Sequence, residues 1–309
     1  DQDNNPDQSG RGGDPVKEFL QLTIPGLMIG GLYAMVAAAI VLVYKSTRVV
    51  SLAHGQLLAF GGLFFWIGLV ALRLPLPLSI LMALVCSILM GWLVERITLR
   101  PLIGQPLISA FLMTFAVFMA LDGVFQLILK GESKTYATLL SLGEFEISGV
   151  PIRVVQLISF GVVLLVFLSL ALFFRFTKTG LGMRATAEDH QLSQSTGINV
   201  RTIFSLIWII SAIVASVAGM GTAYVMDIHF PLPYIGIKGL IVALFGGLDS
   251  LPGALLAGLI LGVLENLIAG YLDPLVGGGL KDVAAYALLL IILLVKPYGL
   301  FGLKRIERV

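Results

Sequence analysis

The chain has 309 residues, of which 58% are hydrophobic and 12% are charged, and its formal net charge is +2. Soluble domains have about 45–50% apolar and about 25% charged residues, so the composition argues strongly against a soluble enzyme. The small net charge also argues against a nucleic-acid binder. A polytopic membrane protein is the class that remains.

The chain begins with a polar tail and continues as a series of apolar segments. Residues 1–18 are acidic, contain proline and glycine and lack an apolar face, which predicts a disordered tail. Most of the later segments reach the roughly 20 residues that a helix needs to cross a bilayer. They cover residues 19–44, 51–70, 76–95, 107–129, 154–174, 203–226, 237–248, 251–271 and 283–303.

One of these segments is too short to cross the membrane. Residues 237–248 would form a helix of only about 18 Å, which predicts a broken half-span. The sequence therefore predicts an all-α polytopic membrane domain over 19–303, with about eight or nine membrane segments. A basic C-terminus, 304–309, follows it.

The distribution of lysine and arginine predicts the orientation, because basic residues favour cytoplasmic loops. If the N-terminus is outside and all nine segments alternate, twelve of the twenty basic residues lie inside. Lys238 is counted among the eight outside. We therefore predict an external N-terminus and a cytoplasmic C-terminus; an error of one segment would move the N-terminus to the other side.

A glycine-containing pattern at 58–62 recurs at 243–247, five segments later. An odd separation gives the two copies opposite orientations, as in an inverted repeat with a central pathway; chance is the alternative, since glycine is abundant. Glycine breaks expose backbone groups that a membrane tolerates where protein or a water-filled cavity satisfies them. Candidate pathway residues are therefore Phe60, Gly61, Gly62, Phe245, Gly246 and Gly247. Tight helix packing is the alternative.

His54, Asp122 and Glu265 are ionisable residues within apolar segments, where such groups are functional hypotheses by default. His54 is also compatible with a plain position at the membrane interface. Asp122 and Glu265 each need a partner or water, because a carboxylate at the bilayer centre costs about 2.5–3.5 kcal/mol. Interhelical hydrogen bonds, which the neighbouring Asn266 can also make, are favoured over a proton or substrate path.

Two pairs of glycines have the spacing that lets membrane helices approach closely. Gly26 and Gly30 form the first pair, and Gly258 and Gly262 form the second. Both pairs predict helix packing.

The polar loop 175–201 contains signals for a short helix. Thr186 and Asp189 have the spacing of a capping box, and Gly197 can end a helix, which predicts a helix over 187–196. No Gly-Lys dipeptide occurs, so the chain has no phosphate-binding loop and any ATP-driven work must be done by another chain. The helix is predicted to dock on a cytosolic partner; a solvated connector is the alternative.

Several motifs together resemble one family. The sequence reads GLYA at 31–34, SLAHG at 51–55, GMRATAED at 182–189 with GIN at 197–199, FGGLDSLPGA at 245–254 and KPYGLFG at 296–302. In this order and spacing the motifs resemble the LivH/LivM permeases of branched-chain amino-acid ABC importers. The resemblance runs from about Phe19 to the end and is closer to LivH.

The resemblance implies a transport subunit of the bacterial cytoplasmic membrane and no catalytic or metal site. Its implied partners are a second, LivM-like permease, two cytosolic ATPase subunits, an external solute-binding protein and the surrounding lipid. ATP and Mg would bind to the ATPase subunits. The implied cargo is leucine, isoleucine and valine, or related small solutes.

The resemblance also identifies the loop 175–201 as the coupling segment. It implies that Glu188, Asp189, His190 and Gly197 contact the ATPase. The match to the wider coupling pattern is partial, because Asp189 replaces an expected alanine. The alternative function is a self-contained secondary transporter or channel in which Asp122 and Glu265 couple protons.

Overall fold

The computed structural model describes residues 15–140, 143–147, 150–188, 193 and 199–302. These residues form an all-α bundle with one small hairpin. The elements in chain order are α1 (Pro15–Thr47), α2 (His54–Trp66), α3 (Leu76–Val94), α4 (Leu107–Leu129), β1 (Glu144–Ile147), β2 (Val150–Arg153), α5 (Val154–Phe176), α6 (Lys178–Glu188), α7 (Val200–Met226), α8 (Ile235–Gly246), α9 (Leu251–Tyr271), α10 (Asp273–Val276) and α11 (Leu280–Val295).

The predicted fold class is confirmed. Seven helices in the described residues are long and apolar enough to cross a membrane, and Leu232–Gly246 forms a shorter apolar helical stretch. The predicted half-span at 237–248 corresponds to α8, which has 12 residues. Helix α11, with 16 residues, is also short.

Two predicted boundaries are wrong. The tail predicted over 1–18 overlaps α1, which starts at Pro15, a residue suited to the first turn of a helix. Residues 1–14 lie outside the described residues. The last segment, predicted over 283–303, ends as a helix at Val295 because Pro297 disfavours continuation.

After α11 the chain folds back onto the end of α8. Gly299 has a positive φ of 77°, which suits the reversal. The backbone N–H of Leu300 donates to the carbonyl of Phe245 at 2.8 Å, and that of Phe301 donates to the carbonyl of Gly246 at 3.1 Å. The C-terminal motif therefore satisfies carbonyls that α8 leaves unpaired at its end.

Helix α1 is the centre of the bundle, and its packing against α9 uses the predicted glycine pairs. A Cβ built on Gly262 would lie 2.3 Å from the carbonyl oxygen of Gly26, and one on Gly30 would lie 2.4 Å from that of Gly258. The packing prediction is confirmed. Helices α3, α4 and α5 instead leave most of their apolar surface exposed, as expected for helices that face lipid or another subunit.

The bundle has two chemically different ends. At one end, which we call the hairpin end, β1 pairs with β2 and Glu144 lies opposite Arg153. At the other, which we call the basic end, the chain carries Arg48, Arg100 and Arg175. There Arg48 Nη1 lies 2.6 Å from Asp249 Oδ1, an ion pair that joins the segment after α1 to the α8–α9 loop.

Helices α2 and α8 both start inside the bundle, and their first turns meet. The chain is not α-helical over 48–53 and 227–234, immediately before these two helices. A Cβ on Gly236 of α8 would lie 2.4 Å from the Cα of Gly55 in α2. Two recessed helix starts in contact are compatible with the inverted repeat, which stays a prediction.

Candidate translocation and coupling sites

Asp122 of α4 makes the interhelical bond that its position predicts. Its side chain is buried, and Oδ1 accepts a hydrogen bond from Gln56 Nε2 of α2 at 2.9 Å. Gln126, one turn further along α4, also donates to this carboxylate. Asp122 therefore connects α2 to α4 and has two hydrogen-bond donors inside the bundle.

Glu265 of α9 belongs to a cluster of charged residues contributed by four helices. Tyr33 Oη of α1 donates to Glu265 Oε2 at 3.1 Å, and Lys238 Nζ of α8 lies 3.0 Å from Glu265 Oε1. The same Nζ lies 3.0 Å from Asp282 Oδ1 of α11. We call Tyr33, Lys238, Glu265 and Asp282 the charged cluster. The adjacent Asn266 donates across helices to the carbonyl of Leu22, as predicted.

The charged cluster corrects the sequence interpretation of Lys238. The orientation count places Lys238 in an outside segment, whereas the structure places it in α8 and pairs it with a buried carboxylate. Lys238 is the only charged residue in the predicted half-span 237–248. An isolated charge in an apolar segment is the signal that would have identified it.

Glu95 is a third buried carboxylate, and it was not predicted from the sequence. It lies just after α3 and accepts a hydrogen bond from Ser205 Oγ of α7 at 2.6 Å. Arg100 Nε lies 3.2 Å from its other oxygen. Glu95 helps to line a cavity of about 220 Å³ near the basic end. Its place at the end of an apolar segment hid it, because such positions usually mark a membrane boundary.

His54 lies inside the bundle and not on its surface. It begins α2 and is fully buried, with its ring 5.2 Å from the ring of Trp208 of α7. This burial follows because α2 starts inside the bundle, after the non-helical residues 48–53. The functional and interfacial interpretations of His54 both stay predictions.

The two glycine motifs are buried in helix contacts. A Cβ on Gly61 would lie 2.4 Å from the Cα of Ser216, and one on Gly246 would lie 2.4 Å from the carbonyl carbon of Gly253. The rest of the two motifs is equally buried, namely Phe60, Gly62, Phe245 and Gly247. The predicted break at 61–62 is wrong, because α2 continues through both glycines. The contacts are those that the packing alternative requires, and the pathway role stays a prediction.

The loop 175–201, which is the predicted coupling segment, starts with a helix earlier than predicted. Thr177 caps α6, since its Oγ1 accepts a hydrogen bond from the backbone N–H of Gly180 at 2.9 Å. Thr186 is not the predicted cap: it lies inside α6 and its hydroxyl donates to the carbonyl of Gly182 at 2.9 Å. The threonine hydroxyl thus bonds back within a helix that has already begun.

Most of the predicted ATPase-contact residues lie outside the described residues. Glu188 is the last residue of α6, whereas Asp189, His190 and Gly197 fall in the undescribed part of the loop, as does most of the predicted helix 187–196. The described part of the loop is attached to the bundle, because Met183 of α6 is buried in the core. The opposite face of α6 exposes Lys178, Leu181 and Arg184.

At the hairpin end, the loop between α4 and α5 is fixed by polar contacts. Tyr136 donates its hydroxyl to the carbonyl of Met220. Burial raises the pKa of Tyr136, which keeps this donor protonated. On the surface, Lys134 pairs with Glu132 and lowers the pKa of that carboxyl. The backbone of Lys134 also pairs with that of Ile228.

The residues described above can bind charged groups or contact another protein. The described residues include no group of three or more His, Cys, Asp or Glu side chains that could hold a metal ion. The charged cluster can bind charged groups, and α6 offers a surface anchored to the bundle. These properties suit a membrane transport subunit that is moved by another chain.

Comparisons with known proteins agree with this architecture. A family described as branched-chain amino acid transport system / permease component matches residues 22–295. BraD, a high-affinity branched-chain amino acid transport system permease protein of Pseudomonas aeruginosa, is 34% identical over 95% of this chain and 99% of its own. LivH of Escherichia coli is 30% identical over 94% of this chain and 98% of its own.

A solved structure shares the fold. PsaBC from Streptococcus pneumoniae in complex with Fab aligns over 93% of this chain and 98% of its own, with a TM-score of 0.52 and 14% identity. That identity supports a likeness of fold alone. The family match extends over most of the helical bundle, and the chain belongs to the permease-component family of branched-chain amino acid transport systems.

Proposed function

We propose that this chain carries branched-chain amino acids through the membrane, driven by ATPase subunits that grip its coupling loop. As a member of its family, the chain is a membrane permease subunit of an ABC importer and not an enzyme. It is a multi-pass protein of the bacterial inner membrane. The names of BraD and LivH, which specify branched-chain amino acids, support the proposed cargo.

The observation that carries the coupling part of the proposal is the position of α6. This helix is capped by Thr177, buries Met183 in the bundle and exposes Lys178, Leu181 and Arg184 at the basic end. A helix anchored in this way transmits a push from a cytosolic partner to α1, α5 and α7, which it contacts. The proposed contacts continue through Glu188, Asp189, His190 and Gly197.

The proposed assembly contains one further permease, two ATPase subunits and an external solute-binding protein. The apolar faces of α3, α4 and α5 offer surface to lipid and to the second permease. ATP and Mg are proposed to bind to the ATPase subunits, because this sequence has no phosphate-binding loop. The N-terminus is proposed to lie outside and the basic end to lie in the cytoplasm.

A charge reversal on the exposed face of α6 tests the coupling proposal. We expect Arg184→Glu to weaken co-purification of the ATPase subunits and to lower ATP-driven uptake of leucine, while the permease keeps its abundance. Arg73→Glu is the matched control, since Arg73 is also exposed but lies in the α2–α3 turn at the hairpin end. Normal ATPase binding and uptake in Arg184→Glu would contradict the proposed docking surface.

The alternative of a proton-coupled secondary transporter has less support. The two carboxylates that would couple protons are already engaged: Asp122 with two glutamine amides, and Glu265 with Tyr33 and Lys238. Uptake by the isolated chain in vesicles without ATPase subunits, driven by a pH gradient, would favour the alternative.

A further inference from the structure

The charged cluster lies far from the basic end of the bundle. Tyr33 precedes the end of α1 at Thr47 by about 21 Å of helix, and Asp282 precedes the end of α11 at Val295 by about 20 Å. Both helices end at the basic end. The two estimates agree and place the cluster about 20 Å from the basic end, with Asp282 in the first turn of α11.

The two carboxylates of the cluster have different environments. The Glu265 side chain is 1% exposed, pairs with Lys238 and also accepts a hydrogen bond from the Tyr33 hydroxyl. The Asp282 side chain is 72% exposed and pairs with Lys238, which is itself 15% exposed. A carboxylate directed at hydrocarbon is strongly unfavourable. The side of the bundle that carries Asp282 therefore borders water or a polar partner.

We propose that Lys238 and Asp282 together form a contact site for the two charges of a zwitterionic amino acid during its passage. In this site Lys238 binds the α-carboxylate and Asp282 binds the α-ammonium group. The inference rests on the proposed function, because it takes the cargo to be an amino acid. The two charges of such a cargo flank a single carbon atom, which matches an acid and a base lying 3.0 Å apart.

Lys238 and Asp282 each keep an oppositely charged partner while the cargo passes. When the cargo arrives, the Lys238–Asp282 pair opens and each side chain takes the opposite charge of the cargo. Lys238 keeps its contact with Glu265, so the buried carboxylate is never left alone. When the cargo leaves, the Lys238–Asp282 pair closes again. A site of this kind binds weakly enough to release its cargo, which a transport path requires.

The surroundings also suit the side chain of such a cargo. Tyr286 follows Asp282 by one helical turn of α11, so the two residues share a face of the helix. Tyr286 and the neighbouring Val283 are both exposed. They provide apolar surface next to the proposed charge contacts, as a branched aliphatic side chain requires.

The test uses the complete importer in proteoliposomes, with the solute-binding protein, the ATPase subunits and ATP. The variant is Asp282→Asn, which removes the charge of an exposed residue and leaves the Lys238–Glu265 pair in place. We expect initial leucine uptake to fall about tenfold, as for the loss of one charge-assisted hydrogen bond. Assembly and ATP hydrolysis should be retained, and Asp282→Glu should restore part of the uptake.

Glu132→Gln is the matched control, because it removes the carboxylate of another lysine pair outside the membrane-spanning helices. We expect it to leave uptake unchanged. Normal uptake in Asp282→Asn would overturn the inference, and so would a joint loss of uptake and assembly, which would make the cluster a structural tie. If the wild-type complex hydrolyses ATP but imports no leucine, isoleucine or valine, the proposed cargo itself is wrong.

Discussion

Asp122 is the residue at which the importer and the proton-coupled alternative predict different results. In the importer its carboxylate only accepts hydrogen bonds from Gln56 and Gln126. Asparagine at this position keeps a carbonyl acceptor, so we expect Asp122→Asn to retain ATP-driven uptake. Asp122→Leu removes both acceptors and should lower the free energy of unfolding by about 1–3 kcal/mol, measured by thermal unfolding in detergent.

The same variants provide the control. Asp122→Asn and Asp122→Leu both abolish the negative charge, but only leucine abolishes the hydrogen bonds. Proton coupling would make both variants inactive at normal abundance. Such a result would restore the secondary-transporter alternative.

At the residue scale, the sequence predicted which polar groups need partners but not what the partners are. The cost of a buried carboxylate correctly indicated that Asp122 and Glu265 are paired. The partner of Glu265 in α1, Tyr33, lies 232 positions away in the chain, and only the folded bundle brings the two together. Lys238 was misassigned because the orientation rule treats lysine as a loop residue.

At the scale of helices, the close contact between α1 and α9 makes a sharp prediction. A Cβ on Gly262 would meet backbone atoms of Gly26 and Gly30 at 2.3 and 2.4 Å, so the two helices must separate. We expect Gly262→Ala to lower the free energy of unfolding by about 1–3 kcal/mol, as is typical of overpacking. The measurement is the thermal unfolding midpoint of the purified permease.

Gly161→Ala in α5 is the matched control for this contact. It makes the same chemical change in a helix, but nothing lies within 4 Å of the new Cβ. We expect it to be neutral or to stabilise by about 0.4–1 kcal/mol, because alanine reduces the freedom of the unfolded chain. Equal effects of the two substitutions would show that the α1–α9 contact is not tight.

The predicted helices were more accurate than their ends. Apolar length alone located the spans, because a bilayer imposes that length on any helix that crosses it. It overran α11, since Leu300 and Phe301 are apolar but lie beyond Pro297, in a segment whose backbone completes the end of α8. The cap at Thr177 was missed because Gly180 follows it at the position where a capping box has an acidic residue.

At the scale of the whole molecule, the structure groups the loops at two ends of the bundle. The basic end contains α6, the proposed coupling helix, and the Arg48–Asp249 pair. Moving Lys238 from an outside loop into α8 removes one basic residue from the predicted external side, so the charge asymmetry increases. The corrected count therefore strengthens the expectation that the basic end is cytoplasmic.

Cysteine labelling can test this orientation across a single helix. Cys86 is the only cysteine in the chain, so Cys86→Ala gives a background without thiols. Ser133→Cys and Gln105→Cys then introduce one thiol each at exposed positions beyond opposite ends of α4, without a change of charge. In intact cells, a membrane-impermeant maleimide should label Ser133→Cys at the hairpin end and leave Gln105→Cys unlabelled until the membrane is opened. A tag near Gly10 should likewise be accessible and one after Val309 protected. Labelling of Gln105→Cys from outside would show that the molecule has the reverse orientation. Helix α6 would then lie outside the cell, where no cytosolic ATPase can bind it.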